Sequence, residues 1–332
     1  MRLTRIFSTP LLFAAGAWLL RPLFAPAPLD LQGQVVLITG GSRGLGLLLA
    51  REFAAAGARL ALLARDHTEL AEARTLLAPT PVLLLPADVT DPQQAEEAVR
   101  ATIQHYGQLD VLVNNAGIIQ VGPAENLPLS AYHEAMDINY FGPLHMMRAA
   151  RRELSRRRGR ILNISSIGGQ IPVPHLSSYV ASKFAFGGLS ESLHTEYARQ
   201  GIHITTAYPG LMRTGSPRQA QVGGNHRLEY GWFSVLDNAP LISQDAQQAA
   251  QEMVAALRRG QPRVVAGLAA RVATRAYTLA PVLITPLLTL TARLLPRSAR
   301  TQALKSGDQS ESAITRRLGA KQKAEAALNQ RR

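Results

Sequence analysis

Short apolar runs alternate with amphipathic stretches through residues 34–266 of this chain. The runs have the length of buried strands, and the stretches between them place apolar residues at helical spacing. Strands that alternate with helices are typical of a parallel sheet covered by helices on both faces. We therefore predict one α/β domain over 31–266, built on a doubly wound parallel sheet. The predicted strands are 35–39, 60–64, 82–86, 111–114, 161–165, 203–208 and 264–266, and the predicted helices are 45–56, 68–77, 91–105, 130–152 and 178–200.

The first thirty residues follow a different pattern. Arg2 and Arg5 precede an uncharged, largely apolar run over 6–20, and Arg21 follows it. A helix over this run would be about 22 Å long, shorter than the hydrocarbon core of a bilayer at about 30 Å. Residues 1–30 are therefore a candidate membrane attachment that lies in the plane of the surface. A cleaved secretory signal and an apolar cover on the folded domain are the alternatives that the sequence leaves open.

Two further segments follow the predicted domain. Residues 276–292 carry no charge, but Pro281 and Pro286 interrupt the run and disfavour a straight helix. For the extension over 267–296 we keep three interpretations: a membrane contact, a lid over the active site, or a Pro-kinked helix packed on the core. Residues 297–332 are polar and basic with little apolar periodicity, so we predict a mobile tail.

Charge and composition narrow the choice of partners. The chain of 332 residues has a net charge of +13, of which residues 293–332 carry +7 and residues 1–30 carry +2. No aromatic residue interleaves with the seven arginines between 148 and 160. We therefore expect no nucleic-acid partner, and interpret the basic ends as a contact with an anionic membrane surface. The absence of cysteine excludes disulfides, thiolate metal sites and a cysteine nucleophile, and we predict no metal site.

A glycine-rich turn joins the first predicted strand to the first predicted helix. Its sequence is Thr39-Gly40-Gly41-Ser42-Arg43-Gly44-Leu45-Gly46. Glycines let a backbone approach a pyrophosphate closely, and the N-terminus of a helix supplies unpaired N–H groups for it. Because this turn lies at the head of a βαβ unit, we predict a dinucleotide site there.

A tyrosine and a lysine stand four residues apart in the predicted helix over 178–200. Tyr179 and Lys183 therefore lie one helical turn apart on the same face. Reduction of a carbonyl needs a hydride at carbon and a proton at oxygen. A free tyrosine has a pKa of about 10 and is a poor base near neutrality, but a neighbouring ammonium favours the phenolate. The pair is thus a candidate acid/base for carbonyl or alcohol chemistry.

Together these motifs resemble the short-chain dehydrogenase/reductase superfamily over about residues 34–266. The Gly-x-x-x-Gly-x-Gly spacing of the turn is similar to that of the family, and Asn139 and Ser166 precede Tyr179 at the family's spacing. The resemblance implies a Rossmann-type fold and a catalytic group of Asn139, Ser166, Tyr179 and Lys183. In it, Ser166 would orient the substrate oxygen, and Asn139 would hold a proton-relay water. The cofactor contacts that it implies are Thr39, Gly40, Ser42, Arg43, Gly44, Leu45, Gly46, Asp88, Val89, Asn115, Ala116, Gly117, Tyr179, Lys183, Pro209, Gly210 and Thr214.

The end of the second predicted strand bears on which nicotinamide cofactor is used. In dinucleotide enzymes an acidic residue there binds the ribose 2′-hydroxyl, whereas an arginine accommodates a 2′-phosphate. Here Ala64 takes the acidic position and Arg65 follows it, with Arg43 on the same side of the turn. Two guanidinium groups suit a phosphate, so we predict NADP(H) rather than NAD(H).

The substrate is less constrained by the sequence. Tyr230, Trp232 and Phe233 lie where the family's substrate loop would be, and line either a lipophilic pocket or a small separate core. We expect a small carbonyl or alcohol substrate of steroid-, retinoid- or lipid-like character. A 3-oxoacyl-thioester reductase, with the arginines between 148 and 160 as a landing patch, and a non-catalytic NADP(H)-sensing protein are the alternatives. The resemblance also implies a homodimer or homotetramer. Because NADPH is intracellular, we expect a cytoplasmic location, attached to the cytoplasmic face of a membrane.

Overall fold

Parallel strands form the central sheet of the protein. The computed structural model describes residues 27–239, 242–299, 301, 303–313 and 315–316. Within these residues the strands are β1 (Val35–Thr39), β2 (Arg59–Ala64), β3 (Val82–Pro86), β4 (Val111–Asn114), β5 (Gln120–Val121), β6 (Arg160–Ile164), β7 (His203–Ala207), β8 (Gln221–Val222), β9 (Arg263–Val264) and β10 (Lys305–Ser306).

The strand order creates a crevice at one edge of the sheet. The order is β3-β2-β1-β4-β6-β7-β9, and every neighbouring pair is parallel. The winding of the chain therefore reverses between β1 and β4. Open α/β sheets bind ligands outside the carboxyl ends of the strands at such a reversal. The predicted Rossmann-type, doubly wound α/β fold is confirmed.

Helices cover both faces of this sheet. They are α1 (Gly44–Ala55), α2 (His67–Leu76), α3 (Pro92–Tyr106), α4 (Leu129–Met136), α5 (Gly142–Arg157), α6 (Ser177–Ala198), α7 (Ser216–Gln219), α8 (His226–Asn238), α9 (Ala246–Arg258), α10 (Leu268–Leu279) and α11 (Pro281–Leu294). Along β1, Val36 and Ile38 pack toward α1 and α9, while Val35 and Leu37 pack toward α3, α5 and α6. All four are fully buried. A strand buried on both faces reads as a continuous apolar run, which is the pattern in the sequence.

The helix predicted over 130–152 is not continuous. α4 ends at Met136, the residues Asp137–Phe141 form a π-helical turn, and α5 then begins at Gly142. Pro143 lies in the first turn of α5. Since proline has no N–H, it cannot donate the usual bond to the carbonyl of Asn139, four residues earlier. The wider turn forms at this point, as such turns often do at functional sites.

A second, smaller sheet lies beside the main one. β8 pairs with β5 in parallel and with β10 in antiparallel orientation. The side-chain amide of Asn126 donates to the carbonyls of Ala299 and Thr301 at 2.6 and 2.8 Å. Ser310 is 1% exposed. Part of the segment for which we predicted a mobile tail is thus ordered against the domain, and residues 317–332 lie outside the described residues.

The extension after β9 forms two helices with different environments. α10 buries Ala270 and Thr274 against the domain, whereas α11 has no buried residue. Of the three interpretations kept for 267–296, packing on the core therefore does not hold for α11, where Pro286 lies inside the helix. No helix among the described residues combines the length and the apolar character needed to cross a bilayer.

The described part of the chain begins at the edge of the sheet opposite the crevice. The Arg160 guanidinium donates to the carbonyl of Ala27 at 2.6 Å, and Leu29 N donates to the carbonyl of Arg258 at 2.7 Å. The candidate membrane attachment over 1–30 lies outside the described residues, apart from its last four residues.

Candidate active site

The glycine turn between β1 and α1 packs against the residues after β4. Gly40 has a φ of +62°, and a Cβ on it would lie 2.9 Å from Cα of Ala116. A Cβ on Gly46 would lie 2.0 Å from the carbonyl oxygen of Gly40 and 2.6 Å from Nδ2 of Asn115. Neither position has room for a side chain. The absence of a Cβ is therefore what lets the turn fold this tightly at the carboxyl end of β1.

Asn115 and Thr39 hold this turn to β4. Nδ2 of Asn115 donates to the carbonyls of Thr39 and Gly40, both at 3.0 Å. The hydroxyl of Thr39 accepts from the backbone N–H of Asn115 at 3.0 Å and of Ala116 at 3.1 Å. These bonds fix the two chain segments on either side of the strand-order reversal. The predicted cofactor residues of both motifs are thereby brought together.

The N-terminus of α1 has the features of an anion site. Arg43 is the N-cap residue, and its side chain makes no capping hydrogen bond. The first turn of α1 contains Gly44, Leu45 and Gly46. As in the first turn of any α-helix, their backbone N–H groups have no hydrogen-bond partner within the helix. Together with the positive end of the helix dipole they suit a pyrophosphate. The site therefore fits a dinucleotide.

Two arginines and two carboxylates lie near the ends of β2 and β3. Arg43 pairs with Glu69 of α2, whose other carboxylate oxygen accepts from the hydroxyl of Ser42 at 2.9 Å. Arg65 lies 3.9 Å from the carboxylate of Asp88, and its side chain is 72% exposed. Ser42, Arg43, Arg65 and Asp88 were all predicted, but Glu69 was not. Its carboxylate gives Arg43 a counterion that a bound phosphate would have to replace.

Ser166 and Tyr179 form a pair of hydroxyls at the end of β6. Ser166 begins a short 3-10 turn, and its hydroxyl accepts from the N–H of Gly168 at 3.0 Å. Both side chains border Gly168, where a Cβ would lie 3.3 Å from Cε1 of Tyr179 and 3.5 Å from Oγ of Ser166. Burial raises the pKa of Tyr179, and the neighbouring Ser166 hydroxyl opposes that shift. Near neutral pH Tyr179 is therefore a phenol, which is the form that donates a proton to a carbonyl oxygen.

Lys183 lies beneath Tyr179 in the interior of the site. Its ammonium is 5.9 Å from the centre of the Tyr179 ring and donates to the carbonyl of Ile164 at 3.0 Å. Lys183 is only 4% exposed, and burial lowers its pKa to about 8. Below that pH it remains an ammonium, and its charge favours the phenolate form of Tyr179. The spacing-based prediction that these two side chains share one face of a helix agrees with this geometry.

Asn139 is held in the π-helical turn by contacts on three sides. Its Oδ1 accepts from the N–H of Ile118 at 2.9 Å, and its Nδ2 donates to the carbonyl of Ile118 at 3.1 Å. Nδ2 also donates to the hydroxyl of Ser182 at 2.9 Å. A Cβ on Gly117 would lie 2.9 Å from Oδ1 of Asn139 and 3.4 Å from Nζ of Lys183. Both polar atoms of the side chain therefore have partners, and the role of Asn139 in holding a proton-relay water stays a prediction.

The remaining predicted residues lie around the same crevice. The carbonyl of Pro209 accepts from the N–H of Ile167 at 2.8 Å, and Gly210 N donates to Ala266 at 3.2 Å. Thr214 is hydrogen-bonded through its hydroxyl to Ser216. Val89 is buried, and its carbonyl bonds the Nδ1 of His145 at 3.1 Å. None of these contacts had a signal in the sequence beyond the motif itself.

Ser182 is a residue of the site that the sequence analysis missed. Its hydroxyl accepts from Asn139 and donates to the backbone carbonyl of Tyr179 at 2.8 Å. It is fully buried. Ser182 is the third x residue of the Tyr-x-x-x-Lys motif itself. The motif could therefore have drawn attention to it, but its partner Asn139 is 43 residues away.

The arginines between 148 and 160 mainly serve the fold. Arg157 binds Asp110 at 2.9 Å, and Arg156 binds Glu153 at 2.8 Å. The buried Arg160 guanidinium donates to the backbone carbonyls of Leu257 and Arg258. Arg156 and Arg157 also lie in the last turn of α5, where the helix dipole favours cations. Among the described residues no group of three or more His, Asp or Glu side chains could hold a metal ion.

Comparisons with known proteins bear on the family of this chain. Residues 34–222 match the family model for short chain dehydrogenase. A dehydrogenase/reductase SDR family protein 7-like of Anopheles gambiae is 35% identical over 260 residues, covering 76% of this chain and 80% of that protein. An 11-beta-hydroxysteroid dehydrogenase A of Sesamum indicum is 40% identical over 56% of this chain and 54% of its own length. The mouse 3-ketodihydrosphingosine reductase is 36% identical over 59% of this chain and 62% of its own length.

Solved structures of short chain dehydrogenases have a similar fold. A short chain dehydrogenase from Burkholderia cenocepacia in complex with NADP has a TM-score of 0.66 and 26% identity, covering 78% of this chain and 99% of that one. A short chain dehydrogenase/reductase from Burkholderia phymatum in complex with NAD has a TM-score of 0.69 and 21% identity, covering 77% and 96%. The second likeness bears on the fold alone.

Proposed function

The chain belongs to the short-chain dehydrogenase family, and from that premise we propose that it is an NADP(H)-dependent oxidoreductase that interconverts a carbonyl and an alcohol on a lipophilic substrate. The observation that carries the proposal is the joint placement of Ser166, Tyr179, Lys183 and Asn139 beside the glycine turn. A bound nicotinamide would supply the hydride in reduction and take it up in oxidation. The side chains of this site would transfer the proton and hold the substrate oxygen.

Tyr179 is the proposed acid/base at the substrate oxygen. In reduction its hydroxyl donates a proton to the carbonyl oxygen while the carbonyl carbon gains the hydride, and the product is the alcohol. The hydroxyl of Ser166 holds the same oxygen by a hydrogen bond. The ammonium of Lys183 stabilises the phenolate left on Tyr179. In the oxidation direction Tyr179 takes the proton back.

An apolar environment next to Tyr179 supports a lipophilic substrate. Tyr179 packs against a cluster that includes Leu176 and Phe233, and Trp232 packs against the same cluster. Pockets of this kind select apolar ligands and orient them with a few polar groups. The names of the sphingoid-base reductase and the steroid dehydrogenase among its relatives are in line with such a substrate.

The choice of NADP(H) rests on Arg65 and Arg43. Each guanidinium that loses a phosphate contact costs about 1.5–3 kcal/mol, which corresponds to roughly 10- to 100-fold in affinity. We expect Arg65→Ala to weaken NADPH binding by that factor and to leave NADH binding unchanged. Glu69→Gln frees Arg43 from its counterion and should tighten NADPH binding. Arg74→Ala, an exposed arginine at the end of α2, is the control.

The measurement is NADPH and NADH oxidation with ketosteroids, retinal, medium-chain ketones and 3-oxoacyl thioesters. Turnover of a ketosteroid or retinal with NADPH supports the proposal, and a preference for thioesters would favour the alternative reductase. Equal use of both cofactors by wild type and by Arg65→Ala would refute the NADP(H) assignment. NADPH binding without turnover of any compound would favour the cofactor-sensing alternative.

We also propose that the protein attaches to the cytoplasmic face of a membrane through α10 and α11. Leu279, Val282 and Leu294 are 84%, 82% and 80% exposed. No acidic residue occurs between 268 and 299, whereas four arginines do. An exposed apolar helix pair with only cationic charges suits an anionic lipid surface. α10 also packs against Gly210, where a Cβ would lie 3.0 Å from Cβ of Ala270. The buried side of α10 thus adjoins Gly210 of the predicted cofactor site.

Flotation with phosphatidylserine-containing vesicles tests this attachment. The double substitution Val282→Asp and Leu283→Asp should reduce the bound fraction several-fold. Leu76→Asp, at an exposed leucine on α2 between β2 and β3, which lie at the other end of the sheet from β9, should not. A chain without residues 1–24 separates the contribution of the N-terminal segment. If the double variant instead changed only the oligomeric state, the face would be a contact between copies and the membrane proposal would be wrong.

For oligomerisation we propose a homodimer or homotetramer that associates through α5, before the strand that leads to Ser166, and α6, which carries Tyr179 and Lys183. Phe141, just before α5, and Phe184 on α6 are each 42% exposed. Large aromatic side chains left at a surface are typical of interface cores. Light scattering of the purified protein measures the state directly.

A further inference from the structure

His175, Glu229 and Trp232 form a cluster that the catalytic group does not use. His175 lies in the loop between Ser166 and Tyr179, and the other two residues belong to α8. Nδ1 of His175 lies 2.9 and 3.0 Å from the two carboxylate oxygens of Glu229. The indole N–H of Trp232 donates to Glu229 at 2.7 Å. The carboxylate therefore bridges the loop and the helix.

Because the Glu229 carboxylate is buried, it needs the hydrogen bonds of this bridge. Glu229 is 0% exposed, and a carboxylate removed from water is stable only when its oxygens accept hydrogen bonds. Its side-chain partners are His175 and Trp232. Because a carboxylate accepts and does not donate, Nδ1 of His175 must carry the proton in this contact. Removing either donor leaves part of the carboxylate unsatisfied.

The backbone of His175 is also constrained. Its φ is +62°, a left-handed conformation that is uncommon for a residue with a Cβ. Its carbonyl accepts from the N–H of Gly122 at 2.8 Å. Such a conformation persists only where surrounding contacts hold it, and it is often found at functional sites. Here the side-chain contact with Glu229 and the backbone contact with Gly122 hold it.

The cluster joins two parts of the substrate side of the site. Trp232 stacks edge-on against Phe233 and against His175, with ring centres 5.8 and 6.3 Å apart. Trp232, Phe233 and Tyr179 all take part in one apolar cluster. The polar contact between Glu229 and His175 thus ties α8 to the loop that precedes the catalytic tyrosine.

We propose that His175 and Glu229 are positioning residues that fix Trp232 and Phe233 as a wall of the substrate pocket. This inference rests on the proposed carbonyl/alcohol activity only for its kinetic consequence. The wall contacts the bulk of a large substrate and not the reacting oxygen. Loosening it should therefore weaken binding of large substrates and leave the chemical step nearly unchanged.

The test uses the full chain with Trp18→Phe, which leaves Trp232 as its single tryptophan. Glu229→Gln keeps the size of the side chain but turns a donor toward His175 or Trp232. His175→Gly keeps the left-handed backbone and removes the imidazole, and His175→Asn keeps the backbone preference and one donor. Glu196→Gln, an exposed glutamate on α6, is the charge-matched control.

Two readouts separate this proposal from the proposed function. We expect Glu229→Gln and His175→Gly to shift Trp232 emission to longer wavelength and to raise its quenching by acrylamide at least about twofold, with His175→Asn between them and wild type. We expect KM for a ketosteroid or retinal to rise about tenfold, while kcat and the KM for a small ketone change less than about threefold.

Emission and quenching equal to those of Glu196→Gln would overturn the proposal. An equal loss of kcat with large and small substrates would overturn it too, because it would place the defect at the reacting oxygen. If wild type turns over no carbonyl compound, the proposed function fails. The fluorescence result still decides whether the cluster holds α8.

Discussion

Replacing Tyr179 with phenylalanine is expected to lower kcat for carbonyl reduction by about 10³-fold while the protein still binds NADPH. A positioned general acid contributes roughly 10² to 10⁴ in rate, and phenylalanine cannot donate a proton. We do not expect Lys183 to replace it as the proton donor, because its ammonium is buried, lies 5.9 Å from the centre of the Tyr179 ring and donates to the carbonyl of Ile164 at 3.0 Å. The loss of one hydroxyl should change the affinity for NADPH by less than about tenfold.

Two measurements check this expectation. Single-turnover kinetics give the rate of the chemical step, and fluorescence titration gives NADPH affinity. Tyr197→Phe is the matched control, because Tyr197 is a buried tyrosine on the same helix, 7% exposed, and lies away from the site. If Tyr179→Phe kept more than about a tenth of the wild-type rate, the proton would come from another group and the assignment of Tyr179 would be wrong.

The residues that the sequence analysis placed well are those whose function depends on local spacing. Four residues bring Tyr179 and Lys183 onto one face of α6, whatever the rest of the chain does. The apolar run over β1 and the glycines after it likewise predicted a turn at the carboxyl end of a buried strand. Both inferences use one helix or one strand–turn unit, and both agree with the fold.

The features of the fold and of the site that could not be predicted from the sequence depend on contacts between distant segments. The helix over 130–152 has apolar periodicity throughout, and only Pro143 indicated that its ladder of hydrogen bonds breaks at Asn139. β5, β8 and β10 have two residues each, too few for any periodicity to appear. The contact between His175 and Glu229 joins residues 54 apart with no local pattern. Ala299 and Thr301, in the segment predicted to be a mobile tail, are held by Asn126, and no feature of the sequence distinguishes that asparagine from others.

Gly46→Ala is expected to weaken the affinity for NADPH by at least about 100-fold and to lower the free energy of unfolding by about 3 kcal/mol. The added Cβ would lie 2.0 Å from the carbonyl oxygen of Gly40. That oxygen belongs to the backbone of the turn and accepts from Asn115 at 3.0 Å, so it cannot move without breaking the link to β4. Displacement of the turn moves the N–H groups at the start of α1 away from the pyrophosphate.

The matched control is Gly188→Ala on α6, where a Cβ meets nothing within 4 Å. Because alanine is the better helix former by about 1 kcal/mol, that variant should be at least as stable as wild type and bind NADPH normally. Isothermal titration gives the affinities, and urea denaturation gives the free energies of unfolding. Titration is carried out where circular dichroism finds Gly46→Ala folded, so that lost binding reflects the displaced turn. Wild-type affinity in that variant would mean that the turn can widen, and that close packing of Gly46 on Gly40 is not what shapes the pyrophosphate site.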